Sequence, residues 1–258
     1  MDAFKNLSII ICIIAFLTFA AFVANDLIKT NKKTVPKSEK KGFAVLELFT
    51  SEGCSSCPAA DELMAKIQQE ERGKPVYLLV YHVDYWDRQG WKDRFSNADY
   101  SRRQMEYGHI LNAQIYTPQL ILNGGAEFVG SDEEAIREAI AGELESNQMA
   151  SLTFEAHQDK DQLKVHYQTS TIIKGNNLLL ALVQKSAQTN VVGGENAGRS
   201  LSHVQIVRKL QTESLNESGN GDVTVDLPKG FDSRSWEVLG LIQDKGTGAI
   251  KAAAKVIL

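Results

Sequence analysis

Cys54 and Cys57 are separated by two serines in "EGCSSCPAADELMAKI" (Glu52–Ile67), directly before a run with helical spacing. A thiol at a helix N-terminus faces free N–H groups and the positive end of the macrodipole. That setting lowers its pKa, typically to about 3.5–7.5 in Cys-X-X-Cys motifs. In redox use Cys54 is the exposed, attacking thiolate, and Cys57, one turn along and facing inwards, is the resolving thiol. The same spacing also serves a metal site or a static staple. His82, opening "HVDYWD", adds a second possibility: with Cys54 and Cys57 it makes a three-ligand soft set suited to Cu(I) or Zn. It could equally relay protons, or simply cover a sheet edge together with the aromatic residues that follow.

These side chains need a scaffold, and the apolar pattern supplies one. "FAVLELF" (Phe43–Phe49), "PVYLLVYHV" (Pro75–Val83) and "PQLILNG" (Pro118–Gly124) are short, mostly apolar runs of strand type. Between the first two, Ala60, Leu63, Met64 and Ile67 recur at helical spacing, and Pro58 suits a first turn whose N–H has no partner. Strand, helix, strand with near-continuous apolar strands predicts a βαβ unit and a buried parallel sheet. The end of the second strand then faces the ligand crevice, which brings His82, Asp84 and Trp86 near the cysteines. Asp84–Ala113 is a polar, aromatic insertion, helical from Ala98 to Leu111. Within it Trp91-Lys92-Asp93 and Arg102-Arg103 read as solvated faces, and the whole could cover the thiols as a lid. A further helix runs from Asp132 to about Glu145, with Ser131 or Asp132 as its cap.

In "YTPQLILNG", Thr117-Pro118 enters a strand sixty-one residues after Cys57. Strand–CxxC–helix–strand followed by Thr-Pro–strand–Gly–helix resembles the thioredoxin fold. The resemblance implies a cis-proline at Pro118 beside the disulfide, with the backbone around Thr117 free to pair with a bound thiol-containing chain. It also implies that Glu47 is the buried carboxylate that assists proton transfer at Cys57. More narrowly, "ELFTSEGCSSCPAAD", "HVDYWD", "GWKDRF", "YTPQ" and "GENAGRSLSHVQIVRKL" together resemble a family of thioredoxin-like, largely bacterial secreted proteins catalogued as a domain of unknown function. That similarity spans about residues 43–258 and supplies no substrate.

After Gln148 the pattern changes. "SLTFEAHQ", "QLKVHYQT", "NNLLLALVQ", "GDVTVDL", "WEVLGLIQD" and "AIKAAAKVIL" are short strands divided by Gly-, Asn- and Asp-containing turns. Several alternate apolar and polar residues, as half-buried antiparallel strands do. The expected architecture is an α/β thioredoxin-like domain (42–148) followed by an all-β sandwich domain (149–258). One stretch stands apart: "GGENAGRSLSHVQIVRKL" reads as a glycine-rich loop carrying Arg199, His203 and Arg208. It is either a partner-binding loop or the seam against the first domain.

The N-terminus carries seventeen residues without a charge, Leu7–Val23, at the border between a cleaved signal and a spanning helix of roughly 17–25 residues. The expectation is a signal anchor or transmembrane segment (1–24), then a lysine-rich polar tether (25–41). Lys29, Lys32, Lys33, Lys37, Lys40 and Lys41 follow the run, and positive-inside logic would leave the body of the protein in the cytoplasm. The single cysteine pair beyond the run and the family resemblance favour the extracytoplasmic, periplasmic face, or secretion if the segment is cleaved. A net charge of −4, with no basic stripe interleaved with aromatics, excludes a general nucleic-acid binder.

Taken together, the sequence predicts a membrane-tethered thiol:disulfide oxidoreductase with Cys54, Cys57, Thr117, Pro118 and Glu47 at its site. It would exchange with a dithiol or disulfide protein and need no bound cofactor. The alternatives are a copper carrier using Cys54, Cys57 and His82, or a non-catalytic binding protein with a structural disulfide.

Overall fold

The computed structural model describes residues 42–147, 150–170, 175–216 and 218–258. The apolar run at 7–23 and the tether lie outside them. Among the described residues no helix is long and apolar enough to cross a membrane.

The first half is built from β1 (Ala44–Thr50), α1 (Cys57–Glu70), β2 (Val76–His82), α2 (Ala98–Leu111), β3 (Gln119–Leu122), β4 (Ala126–Val129) and α3 (Glu133–Glu145). Every residue of β1 is buried, which is why its sequence does not alternate: both faces are covered. Leu46 and Leu48 meet Ala60, Met64 and Ile67 of α1 on one face. Val45 and Phe49 meet Tyr81, Tyr100 and Tyr107 on the other. The caps follow their residue types. Asn97 opens α2 by accepting from the Asp99 N–H at 2.9 Å, and Asp132 opens α3 by accepting from the Ala135 N–H at 3.2 Å.

The second half contributes β5 (Leu152–Asp159), β6 (Gln162–Thr169), β7 (Asn176–Asn190), β8 (Ser200–Ser214), β9 (Asn220–Asp226), β10 (Trp236–Asp244) and β11 (Ile250–Ile257). One eight-stranded sheet runs β11-β10-β7-β8-β2-β1-β3-β4, and β5-β6-β9 form a second, three-stranded sheet. The large sheet is mixed rather than wholly parallel. β1 and β2 are parallel as expected, but β3 returns antiparallel to β1.

A sandwich exists among the later strands, since Leu152, Phe154, Leu163 and Val165 of the small sheet close a core with Leu178, Leu180, Leu182 and Val238 of the large one. Its large layer is not separate from the α/β half. β8 lies parallel beside β2, with Val80 opposite Ile206, so the sheet continues across residue 149. Left alone, β2 would end the α/β sheet as an apolar edge, and β8 covers it. The described residues, from 42 onward, form one compact unit.

Candidate active site

Strand parity decides what surrounds the cysteines. On β2, Leu78 and Val80 point to the α1 face, and His82 has the same parity. After β1 the chain turns through Ser51–Ser56 into α1, whose N-cap residue Ser56 makes no side-chain cap bond, with Pro58 in the first turn. Cys54 and Cys57 form a disulfide. The Thr117–Pro118 peptide is cis, as the resemblance implied. The Cys54 Sγ lies 3.9 Å from the Thr117 carbonyl oxygen. Trp86 Nε1 donates to Thr117 Oγ1 at 2.7 Å, holding that loop against the insertion.

Three expectations are corrected. Cys54 is only 1% exposed and Cys57 fully buried, so the first cysteine is not open to solvent. Glu47 shares its face of β1 with Val45 and Phe49, away from α1, and cannot receive a proton from Cys57. Both of its oxygens are taken: Arg103 Nε donates to Oε2 at 2.6 Å and the Tyr107 hydroxyl to Oε1 at 2.5 Å. Arg103 also donates to Tyr107 (2.9 Å) and to Gln243 of β10 (3.1 Å), tying β1, α2 and the late strands together. Burial opposes the Arg103 charge, but Glu47 outweighs it and holds the guanidinium well above its usual range. Finally, Asp93 and Arg103 are buried, not solvated, because each is paired with a buried partner of opposite charge or an imidazole.

The groups clustered around the CxxC turn come from six segments. Glu52 is held by hydrogen bonds at its N–H, its carbonyl and one carboxylate oxygen. Its N–H donates to Asp93 Oδ2 at 2.9 Å, its Oε2 accepts from Trp91 Nε1 at 2.7 Å, and its carbonyl accepts from Asn196 Nδ2 at 2.9 Å. The remaining oxygen, Oε1, lies 3.2 Å from His203 Nε2. On its other side His203 Nδ1 lies 3.4 Å from Asp61 Oδ2. His82 Nδ1 is 2.6 Å from Asp93 Oδ2, and the His82 and His203 rings meet edge to face at 4.9 Å. Burial raises the Asp93 carboxyl, but His82 and the N–H groups of Glu52 and Phe95 outweigh it, leaving the group below its ordinary value.

The glycine-rich loop is the seam. Asn196 Nδ2 donates to the Cys54 carbonyl at 2.8 Å, Glu195 Oε2 accepts from the Ser55 N–H at 2.9 Å, and Arg199 Nη1 holds Asn196 Oδ1 at 2.9 Å. The Ser55 bonds lower the Glu195 carboxyl. The loop can lie this close because Gly193 has no side chain: a Cβ there would stand 2.4 Å from the Gly90 carbonyl oxygen. Among the described residues no group of three or more His, Cys, Asp or Glu side chains is placed to hold a metal ion.

Sequence reasoning passed over Asp61, Glu52, Asp93, Asn196 and the proximity of His203. Two signals were present. Asp61 interrupts the buried stripe of α1 between Cys57 and Met64, and His203 takes an inward position on β8 in step with Leu201.

The chain belongs to the family described as "Protein of unknown function (DUF1223)", which it matches over residues 45–243. A thioredoxin from Methanocaldococcus jannaschii is 29% identical over 100 residues, covering 38% of this chain and 94% of that protein. A crystal structure of a protein from Agrobacterium tumefaciens superposes with a TM-score of 0.65 at 25% identity, covering 83% of this chain and 93% of that one. Both halves of the fold therefore recur together. A domain of the outer membrane lipoprotein Omp28 from Porphyromonas gingivalis, at TM-score 0.26 and 12% identity over 42% of this chain and 87% of that one, is too distant to argue from.

Proposed function

We propose that this member of the family is a thioredoxin-like thiol:disulfide oxidoreductase. Cys54 is attacked or attacks, Cys57 resolves, and the Thr117–Pro118 loop receives the partner chain. The observation that carries this reading is the position of the Cys54–Cys57 disulfide at the N-terminus of α1 against the cis-proline loop. The similarity to a thioredoxin over 100 residues supports it. Electrons pass between this pair and a dithiol or disulfide protein. Such a partner reaches Cys54 only when the loop at 191–199 or the cis-proline loop yields, because the disulfide is covered.

The test is the equilibrium reduction potential of the pair in glutathione buffers. A value between about −120 and about −270 mV is expected, since working oxidoreductases fall there. A value below about −300 mV identifies a structural staple, the reading that the burial of both sulfurs favours. The apolar run at 7–23 tethers the protein on the extracytoplasmic side in this reading. A reporter joined after Lys41 and active only in the cytoplasm would exclude that placement.

A further inference from the structure

Around the CxxC turn and the first turns of α1, Asp61 Oδ1 and His82 Nε2 are buried without a hydrogen-bond partner in the protein, and Glu52 Oε1 and the two ring nitrogens of His203 have no neighbours beyond the ion-pair contacts of Glu52 and Asp61 with that ring. Buried polar groups are nearly always bonded, and one left unpaired keeps the full cost of its desolvation. A concentration of them at one place calls for a use.

Their geometry suggests it. Asp61 lies one helical turn after Cys57, on the same buried face of α1. Its Oδ2 faces His203 Nδ1 at 3.4 Å while Oδ1 is unpartnered. His203 Nε2 faces Glu52 at 3.2 Å. Around the ring stand His82 from β2, held by Asp93 at 2.6 Å, and Phe95 from the insertion. Arg94 and Arg208 lie over that phenyl ring, at 4.6 and 5.1 Å from its centroid. Burial pulls the His203 imidazolium down, but Asp61 and Glu52 outweigh it and place the group at about 9. The ring thus has a carboxylate that favours its charged form at each nitrogen, and the nearby cations lie over Phe95.

We propose that His203 is the proton store of the Cys54–Cys57 couple, acting on Cys57 through Asp61. The inference rests on the oxidoreductase reading above. A thiolate of a dithiol partner attacks Cys54 Sγ; the Cys54–Cys57 bond breaks, a mixed disulfide forms, and the electron pair leaves on Cys57 Sγ. His203 Nδ1 first passes its proton to the Asp61 carboxylate, and the carboxyl so formed, one helical turn from Cys57, gives that proton to Cys57 Sγ, leaving His203 neutral and Asp61 again a carboxylate. The partner's second thiolate then attacks the mixed disulfide and releases Cys54 as a thiolate. The partner is oxidised to its disulfide and the Cys54–Cys57 pair is reduced, with two electrons transferred. The partner's thiol protons go to solvent, which later recharges His203. In the opposite direction Cys57 returns its proton along the same path before it attacks. His203 touches neither sulfur; it is a positioning residue for the proton.

The experiment follows exchange of the oxidised full chain with dithiothreitol from about pH 5 to about pH 10, a span wide enough to include both the thiol and imidazole titrations. It compares wild type with His203→Gln and Asp61→Asn, and records the His203 ring titration by NMR in oxidised and reduced wild type. Linkage requires that the midpoint of His203 move with the redox state, by about one pH unit or more if coupling is the usual tenfold size. In His203→Gln the exchange rate near neutral pH should fall about tenfold or more and its pH profile shift. A His203 midpoint identical in the two redox states overturns the inference, as does a folded His203→Gln variant with the wild-type profile. If the variants do not fold, the wild-type titration alone decides. Absence of exchange in wild type at every pH defeats the oxidoreductase reading, and this inference with it. Exchange with an unmoved His203 defeats the inference alone.

Discussion

Two buried ionic clusters lie on opposite faces of the same sheet, and they are built differently. On the α2 face Glu47, Arg103, Tyr107 and Gln243 bond one another, with Arg103 Nε on one carboxylate oxygen at 2.6 Å and the Tyr107 hydroxyl on the other at 2.5 Å. The Gln243 amide closes the set, donating to Tyr107 at 2.8 Å and to the Gly248 carbonyl at 2.6 Å. On the α1 face, Glu52, Asp61 and His203 approach at ion-pair distance but leave hydrogen-bonding atoms unpaired. A satisfied buried network fixes elements in one arrangement; an unsatisfied one costs free energy and persists where the chemistry needs groups that can change protonation. The first cluster is a structural joint between the two halves of the chain. In the proposal above, the second serves the cysteines.

The sharpest way to break this comparison is to damage the joint. Arg103→Met leaves Glu47 buried without its cation and should cost about 3–5 kcal/mol in urea unfolding, while the reduction potential of the pair stays that of wild type. A shifted potential would mean that the two faces are coupled and the division is wrong.

Next in size is a pH effect from the second cluster. His203 stands at about 9 in the folded protein, above its ordinary 6.5. A raised folded value contributes stability that is complete below about pH 6.5 and lost as pH rises through about 9. The contribution at low pH is of the order of 3 kcal/mol. Unfolding midpoints of wild type should therefore decline across that window, and those of His203→Gln should decline less. Parallel curves for the two proteins would remove His203 from the ionic cluster.

The smallest effect concerns the seam. Asn196→Ala removes the donors to the Glu52 and Cys54 carbonyls and should cost about 1–3 kcal/mol. Reduction of the disulfide by dithiothreitol should become several-fold faster, because the loop that holds the CxxC turn is loosened. An unchanged rate would show that access is controlled at the cis-proline loop instead.

Much of the scaffold was legible from the residues. The fully apolar β1 and β2, the helical spacing after Pro58 and the Thr-Pro entry to β3 all declare themselves locally. β8 did not. Its inward residues include His203 and Gln205 beside Leu201 and Ile206, so the apolar alternation is broken. The chain at Gln205 adopts φ 52°, and the pairing with β7 shifts between Leu182 and Val183. Such an irregularity re-aims a strand and has no local sequence signature apart from glycine, which is absent there. Glu47 failed for a related reason: one strand residue of parity separates a carboxylate beside the cysteines from one on the opposite face.

By itself, the sequence determined where the two thiols lie, that a helix begins at them, and that a Thr-Pro turn belongs in the same fold. The first two depend on residue type and periodicity within a few residues, and the third is what the resemblance to the thioredoxin fold implies. Which ionisable groups cluster around the CxxC turn was decided only by the tertiary structure. The pairing of β8 with β2 brings His203 to Asp61 and Glu52, and the loop before it brings Asn196 to the Cys54 carbonyl. Contacts of that kind arise from covering a sheet edge and filling a shared core. No short stretch of sequence encodes them, because neither partner acquires its environment until both halves of the chain have come together.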